Sequence, residues 1–218
     1  MKSTVVETIG HYVRTSAQIL DDAPRLRGFV DTRMRQLLAL ELEDQVLLGD
    51  GLSNNLNGLV PQSTAYDANL ESAVVSGTAT DLDRIRVAIL QVQRANFPAT
   101  GVILSPLNWA AIELEKTSEG AYKFANPQAA TGPRLWGLPV VATNALPEGT
   151  GHVGNYQIAA TFYDRMQASL QVSTEDGDNF KELMATIRAY LRAALAVEYP
   201  EALIDISSMD ATAPGAGS

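Results

Sequence analysis

Three stretches carry side chains of the kind that do chemistry. Ser105 follows the apolar run Gly101 to Leu104 and precedes Pro106, a strand–turn–helix setting in which a serine can act as a nucleophile. That chemistry needs a base, and the chain holds two histidines, His11 in a β-prone run and His152 in a glycine-rich turn. The G-x-S-x-G elbow that lifts such a serine out of a sheet is missing, so Ser105 is expected to cap a helix. His11 is expected to be a strand residue with an ordinary hydrogen bond. The second stretch is GDGLSNNLNG, Gly49 to Gly58, where Asp50, Asn54 and Asn55 offer oxygen ligands for calcium. Their spacing departs from an EF-hand loop and no glutamate closes it, so the reading is a turn. The third, Asp176-Gly177-Asp178-Asn179, is a turn or a weak cation site. A small hydrolase or metal-dependent enzyme would have to use Asp50, Asp176 and Asp178. No histidine, cysteine or paired-carboxylate spacing supports it, so no catalytic, cofactor-binding or metal-ligating residue is assigned.

The elements around these residues are dominated by one long segment, Asp21 to Gly51. Asp21 or Asp22 can cap its start, and Pro24 sits where a first helical turn tolerates proline. Gly49-Asp50-Gly51 stops it, leaving a helix of roughly 25 residues, about 37 Å long. Leu26, Phe29, Val30, Met34, Leu37, Leu40, Leu47 and Leu48 form a broad apolar stripe, with Leu42 and Val46 facing the other way. Its charges oppose its own dipole. Arg25, Arg27, Arg33 and Arg35 lie in the first half, and Glu41, Glu43 and Asp44 in the second. Two readings stand: solvated side chains with internal pairs such as Asp31 with Arg35, or charges paired by other copies of the chain. The second makes all seven residues candidates for a subunit interface.

The totals narrow the function classes. At 218 residues the chain can bury a full core, as one domain or two intimate ones. A net charge of −9 without a lysine- or arginine-rich run is a poor basis for wrapping nucleic acid. With no cysteine there is no disulfide or thiol chemistry. No apolar run approaches a membrane span, and Met1-Lys2-Ser3 does not open a signal peptide.

Along the chain, Val5 to Ser16 reads as a strand. A domain boundary is expected near Gly58-Leu59-Val60-Pro61. Thr80 to Asn96 reads as a helix, with Thr80 and Asp83 as a capping box and Leu82, Ile85, Ile89 and Val92 as its core stripe. Gly101 to Leu104 is a buried strand. A third helix runs from Ser105-Pro106 to about Lys116, with Trp109 and Ile112 inward. Glu119-Gly120 is a turn, Leu135 to Thr143 a kinked strand, and Pro147 to Gly154 a loop. Tyr156 to Phe162 and Ser169 to Ser173 read as short strands. Phe180 to Glu198 fits helix or long strand. Pro200 closes it, Ala202 to Ile206 is a last strand, and Ala211 to Ser218 a flexible tail.

Read in order, several pieces resemble the tailed-bacteriophage major capsid protein family, whose fold encapsulins share. They are TIGHYVRTSAQILDDAP (Thr8 to Pro24), LLGDGLSNNLNGL (Leu47 to Leu59), GVILSPLNW (Gly101 to Trp109), LWGLPVV (Leu135 to Val141), YDRM (Tyr163 to Met166) and VSTEDGDNF (Val172 to Phe180), with Arg188, Arg192 and Pro200 near the end. The resemblance implies an α+β fold with a long spine helix, about residues 22–48. Residues 1–60 and 163–198 would form a peripheral domain with a β-sheet, and 61–162 and 199–210 an axial α/β domain. It also favours strand over helix from about Ser169 to Tyr199.

The implied function is a homo-oligomer of pentamers and hexamers, an icosahedral phage or prophage head. It would enclose packaged DNA without binding it specifically, form the virion capsid, assemble in the host cytoplasm and involve no membrane or cofactor. An encapsulin-like compartment is the alternative. Loops at Glu119 to Thr131 and Leu146 to Gly154 would make ring contacts. Relatives carry an N-terminal arm and an extended loop ahead of the first strand, which this sequence is expected to lack. Some also join a loop lysine to an asparagine, with a glutamate as proton acceptor. In this chain the asparagine falls at Leu183 and the glutamate at Tyr190, so no such bond is expected.

Overall fold

A computed structural model describes residues 4–18, 24–116 and 132–209, with the side chains of 24–27 outside that description. The expected turn at Glu119-Gly120, the loop to Thr131, the caps Asp21 and Asp22 and the tail from Ala211 lie outside it. The chain divides into two compact units. Residues 1–58 and 162–196 form the first, and 59–161 with 197–218 the second.

The first unit is a three-stranded sheet backed by the long helix. Strand β1 is Glu7–Ser16 and helix α1 is Pro24–Leu48. Strand β7 is Ala160–Ser173 and β8 is Met184–Val197, giving the order β1-β8-β7. β1 and β8 are antiparallel, with Gly10 opposite Tyr190 and Tyr12 opposite Arg188. Alternation along β8 buries Ala185, Ile187, Ala189, Leu191 and Ala193 and leaves Arg188 and Arg192 exposed.

The buried row of α1 differs from the expected stripe. Met34 and Leu38 are buried against Ile9, Ile187 and Leu191, and Val30, Leu42 and Val46 pack on the same core. Phe29 is 66% exposed and Leu40 50%, and Leu37 and Leu48 are also exposed. Residues 30, 34, 38, 42 and 46 make an i+4 ridge, which winds around the helix instead of following one side. A flat stripe drawn at 3.6 residues per turn therefore put Leu42 and Val46 on the wrong face. Burying Met34 and Leu38 is worth about 2 kcal/mol each.

The helix stops where its backbone meets the following turn. The Gly49 N–H donates to Gln45 O at 3.0 Å, and the Gly58 N–H to Gly49 O at 2.8 Å. A Cβ on Gly58 would lie 2.6 Å from Leu47 O, so the two backbones can approach this closely only without a side chain there.

The second unit is built on a six-stranded sheet of order β2-β9-β6-β3-β5-β4. The strands are β2 Thr64–Ala65, β3 Gly101–Leu104, β4 Arg134–Leu135, β5 Leu138–Ala142, β6 Gly151–Gly154 and β9 Leu203–Ile206. The helices are α2 Leu59–Gln62, α3 Ala68–Val74, α4 Asp81–Arg94 and α5 Pro106–Glu113. α5 lies in the crossover between the parallel strands β3 and β5. Leu82, Ile85, Ile89 and Val92 of α4 are buried in one core with Val102, Leu104, Ile112, Val153 and Ile206, and Trp109 packs against it. Thr80 and Asp83 form the expected reciprocal cap.

Four expectations change. Pro147 to Gly154 is not all loop, since β6 lies inside the sheet with Gly151, His152, Val153 and Gly154 buried. Leu135 to Thr143 is a hairpin, not a kinked strand, with Trp136 and Gly137 at φ 54° and 81° in the turn. The two short strands expected between Tyr156 and Ser173 are one strand of 14 residues. Phe180 to Glu198 resolves into the short helix α6, Asn179–Glu182, followed by β8.

Candidate subunit interface

The charged residues singled out on α1 have distinct settings. Arg33 is exposed and its Nη1 donates to Gln36 Oε1 at 2.9 Å. Arg35 Nε donates to Asp31 Oδ1 at 3.1 Å, and its Nη1 to the Ala168 carbonyl of β7 at 3.3 Å. Arg35 thus ties the helix to the edge strand, a role that spacing along α1 could not reveal. The Asp31 pair is half exposed, so it contributes under ~1 kcal/mol. The side chains of Arg25 and Arg27 lie outside the described residues.

The acidic half of α1 is exposed at Glu41, Glu43 and Asp44. Glu41 accepts from Gln45 Nε2 at 3.2 Å, and Glu43 is engaged within the chain. Partial burial, then repulsion from Glu41 and Glu43, raises the Asp44 carboxyl above the usual carboxylate range. The last turn of α1 has no basic residue and the first no acidic one, so the helix's own end turns do not offset its dipole.

A groove of about 510 Å³ runs between β1 and α1, lined by Ile9, His11, Leu37, Glu41, Gln45 and Asn54 among others. His11 is a strand residue as expected, but its Nε2 is shut off from water without a hydrogen-bond partner among the described residues. The ordinary hydrogen bond expected there is missing at that nitrogen.

The opposite end of the sheet carries a braced knob. Asn179 is buried, accepts from Arg14 Nε at 2.5 Å and donates to Thr186 Oγ1 at 2.7 Å. Arg14 Nη2 also reaches Glu182 at 2.7 Å. On this frame Phe180 stands 81% exposed, beside Leu183 in the left-handed region at φ 52°. Nothing in the sequence announced that Arg14 and Glu182 would meet, because they are far apart in the chain.

The residues considered for catalysis have structural employment. Ser105 accepts from the Asn108 N–H at 3.2 Å as the N-cap of α5. Asp50 accepts from the Leu52 N–H and from Asn55 Nδ2, which holds its carboxyl below the usual range. Asp178 accepts from Lys181, and the Asp176 carbonyl from the Asn179 N–H. Among the described residues no three of His, Asp or Glu converge on one point.

His152 was misplaced by its glycine neighbours. It is a fully buried residue of β6, with Nε2 2.7 Å from Ser63 Oγ and Nδ1 2.7 Å from the Tyr156 hydroxyl. The Ser63 hydroxyl also lies 2.6 Å from Leu59 O and the Tyr156 hydroxyl 3.1 Å from His152 O, so the tautomer of the ring sets which partner donates to it. Burial lowers the imidazole to about 4, which keeps it neutral. The sequence offered only the His–Tyr spacing of four as a hint.

The pattern of the phage capsid family matches residues 1–207. The chain belongs to the phage capsid family. This capsid-family chain is 45% identical over 199 residues to the major capsid protein of Enterobacteria phage HK97, an alignment covering 91% of this chain and 51% of that one. It therefore spans about half the length of that relative. Its fold is that of a solved structure from Gordonia phage Cozz, with TM-score 0.71 and 14% identity over 94% of this chain and 70% of that one. It is equally similar to the capsid of an empty GTA particle computed with C5 symmetry, with TM-score 0.71, 16% identity, and 93% and 73% of the two chains covered. The capsid family is one of structural proteins.

Proposed function

We propose that the chain is a structural subunit of an icosahedral phage or prophage head, which self-assembles into a shell enclosing packaged DNA. The family match over residues 1–207 carries this reading. In it the first unit is the peripheral domain, with α1 as its spine, and the second is the axial domain gathered into pentamers and hexamers. The acidic composition agrees with enclosing DNA without gripping it, since a wall with net charge −9 has little attraction for phosphate. Such a subunit works in the virion capsid after assembly in the host cytoplasm, and chemistry on a substrate has no part in its role.

The candidate interface is the exposed side of α1, with Arg33, Arg35, Glu41, Glu43 and Asp44 and, ahead of them, Arg25 and Arg27. Negative-stain imaging and sedimentation of the purified chain test the reading: rings or shells support it, and a monomer at every concentration contradicts it. Arg33→Glu with Arg35→Glu should weaken self-association more than it lowers the melting temperature. Unchanged assembly in that variant would remove these residues from the interface.

A further inference from the structure

An aspartate or asparagine stands directly before glycine at Asp50-Gly51, Asn57-Gly58 and Asp176-Gly177. Such pairs share a reaction that needs no partner molecule. The glycine amide nitrogen attacks the side-chain carbonyl carbon of the residue before it and closes a five-membered succinimide ring. Glycine permits the approach, because it has no Cβ in the way and wide backbone freedom. In a disordered chain at neutral pH asparagine reacts before aspartate, since its amide expels ammonia while a carboxyl group is almost wholly ionised. Chain chemistry alone therefore ranks Asn57-Gly58 first.

The fold reverses that order. The glycine nitrogen must swing over the side chain of its neighbour, and a misplacement of about 1 Å can cost 100-fold in rate. Gly58 cannot make the movement. It is buried, and its N–H is held by Gly49 O at 2.8 Å. Leu47 O and the Gly49 nitrogen lie 2.6 and 2.7 Å from where its Cβ would be. Gly51 is held as well, its N–H donating to Leu56 O at 3.0 Å. Asp50 Oδ1 accepts from the Leu52 N–H at 3.0 Å and from Asn55 Nδ2 at 2.9 Å. Asp50 and Asn57 face each other in a β-bridge, so one clasp immobilises both pairs.

Asp176-Gly177 has none of these restraints. Both residues are exposed, in the turn between β7 and α6. Among the described residues the Gly177 N–H and the Asp176 carboxylate have no hydrogen bond or ion pair. Nothing lies within 4 Å of where a Gly177 Cβ would be. The next pair, Asp178-Asn179, lacks the glycine, and its carboxylate is engaged by Lys181 at 3.2 Å.

We propose that Asp176 is a self-modification site, where attack by the Gly177 nitrogen converts the peptide linkage to isoaspartate. The reaction is a dehydration followed by a hydration. The N–Cγ bond forms, the Cγ–OH bond of the carboxyl group breaks, and the hydroxyl leaves as water with the proton of the nitrogen. Water then opens the ring at the former main-chain carbonyl. The chain afterwards runs through Cγ, and the old carbonyl becomes a pendant carboxylate.

The location gives this slow chemistry a structural consequence. The Asp176 carbonyl accepts from the Asn179 N–H at 3.1 Å, and it is the group that the reaction displaces. Asn179 in turn accepts from Arg14 Nε at 2.5 Å and donates to Thr186 Oγ1 at 2.7 Å. Isomerisation thus loosens the tie between β1 and the start of β8 that carries Phe180. The inference is independent of the shell reading.

The test ages the full chain at neutral pH, folded or unfolded in guanidinium, and digests it with trypsin. Asp176 is then recovered in Met166–Lys181, and Asp50 and Asn57 in Gln36–Arg84. Isoaspartate is read by methyl transfer from labelled S-adenosylmethionine with an isoaspartyl methyltransferase, and by a shifted elution at unchanged mass. In the folded chain Asp176 should be converted at least about tenfold faster than Asn57 is deamidated, and in guanidinium the order should reverse. Asp176→Glu, which would need a six-membered ring, should abolish methyl transfer to that peptide without lowering the melting temperature. Amide exchange at Asn179 should quicken in the modified fraction. If Asn57 leads in the folded chain, or Asp176 stays intact while the unfolded sample reacts, the proposal falls. If Asp176 is converted and Asn179 exchanges at its former rate, the loosening of the tie is wrong.

Discussion

The Ser63 hydroxyl lies 2.7 Å from Nε2 of His152, and that imidazole is sealed from water. That burial makes stability pH-dependent. Burial holds His152 at about 4 in the folded chain, against 6.5 for the free side chain. The unfolded chain therefore binds the proton first, and folding stability is complete above pH 6.5 and declines as pH falls from there to about 4. The full effect is up to about 3 kcal/mol. Asp205, opposite His152 in the β6–β9 ladder, is itself raised by burial and gives little relief. Urea unfolding midpoints should fall between pH 7 and pH 4.5 and fall less steeply in His152→Gln. An equal slope in the variant would remove His152 from the explanation.

Two glycines of the first unit should respond in opposite directions. A Cβ on Gly10 would sit 2.9 Å from the Tyr190 Cβ and 3.0 Å from the Ala189 carbonyl, so Gly10→Ala is expected to cost about 1–3 kcal/mol. Gly28 lies within α1 with open space around its Cβ position, so Gly28→Ala should stabilise by up to about 1 kcal/mol. Thermal melts of the two variants should bracket the parent.

Thr80 begins α4 with a reciprocal cap. Its Oγ1 accepts from the Asp83 N–H at 3.3 Å, and its own N–H donates to Asp83 Oδ2 at 3.0 Å. Thr80→Ala should cost about 1 kcal/mol, and Thr80→Ser nearly nothing. Equal losses in the two would mean that the methyl group, not the cap, stabilises the site.

The subunits should be held by non-covalent contacts. At the positions where the resemblance leads one to expect an asparagine and a glutamate stand Leu183 and Tyr190, and the Tyr190 hydroxyl is engaged by Gln171. A lysine cannot form an amide bond with a leucine side chain, and Tyr190 has no carboxylate to serve as the proton acceptor. Boiling assembled material in detergent should return one band at the monomer mass. A ladder of larger species that resists reductant would overturn this.

Legibility in the sequence followed the range of the interaction. Thr80 with Asp83, Ser105 with Asn108, and Asp31 with Arg35 lie within one helical turn, and each was readable from spacing. The α4 core residues obeyed a single period and were equally plain. On α1 the same method failed, because the buried ridge advances by four and apolar residues off it are left exposed. β6 was hidden by its glycines. They are chosen for clearance, since a Cβ on Gly154 would meet the Leu203 side chain at 2.6 Å. The arginine face of β8 escaped notice for another reason. Until Phe180 to Glu198 was known to be a strand, Tyr190 had no common side to share with Arg188 and Arg192.

The strand order also governs when the molecule comes into being. β8 is the middle strand of one sheet, and β9 lies between β2 and β6 in the other. Both are made after every other strand of their sheets. During translation, therefore, the first sheet cannot close until Val197 has left the ribosome, nor the second until Ile206 has, and α1 waits for β8 with Met34 and Leu38 uncovered. Nascent chains crowded on one messenger hold α1 early, but they present no finished sheet to one another. The late strands act as a timer that withholds both finished sheets until translation has passed Ile206.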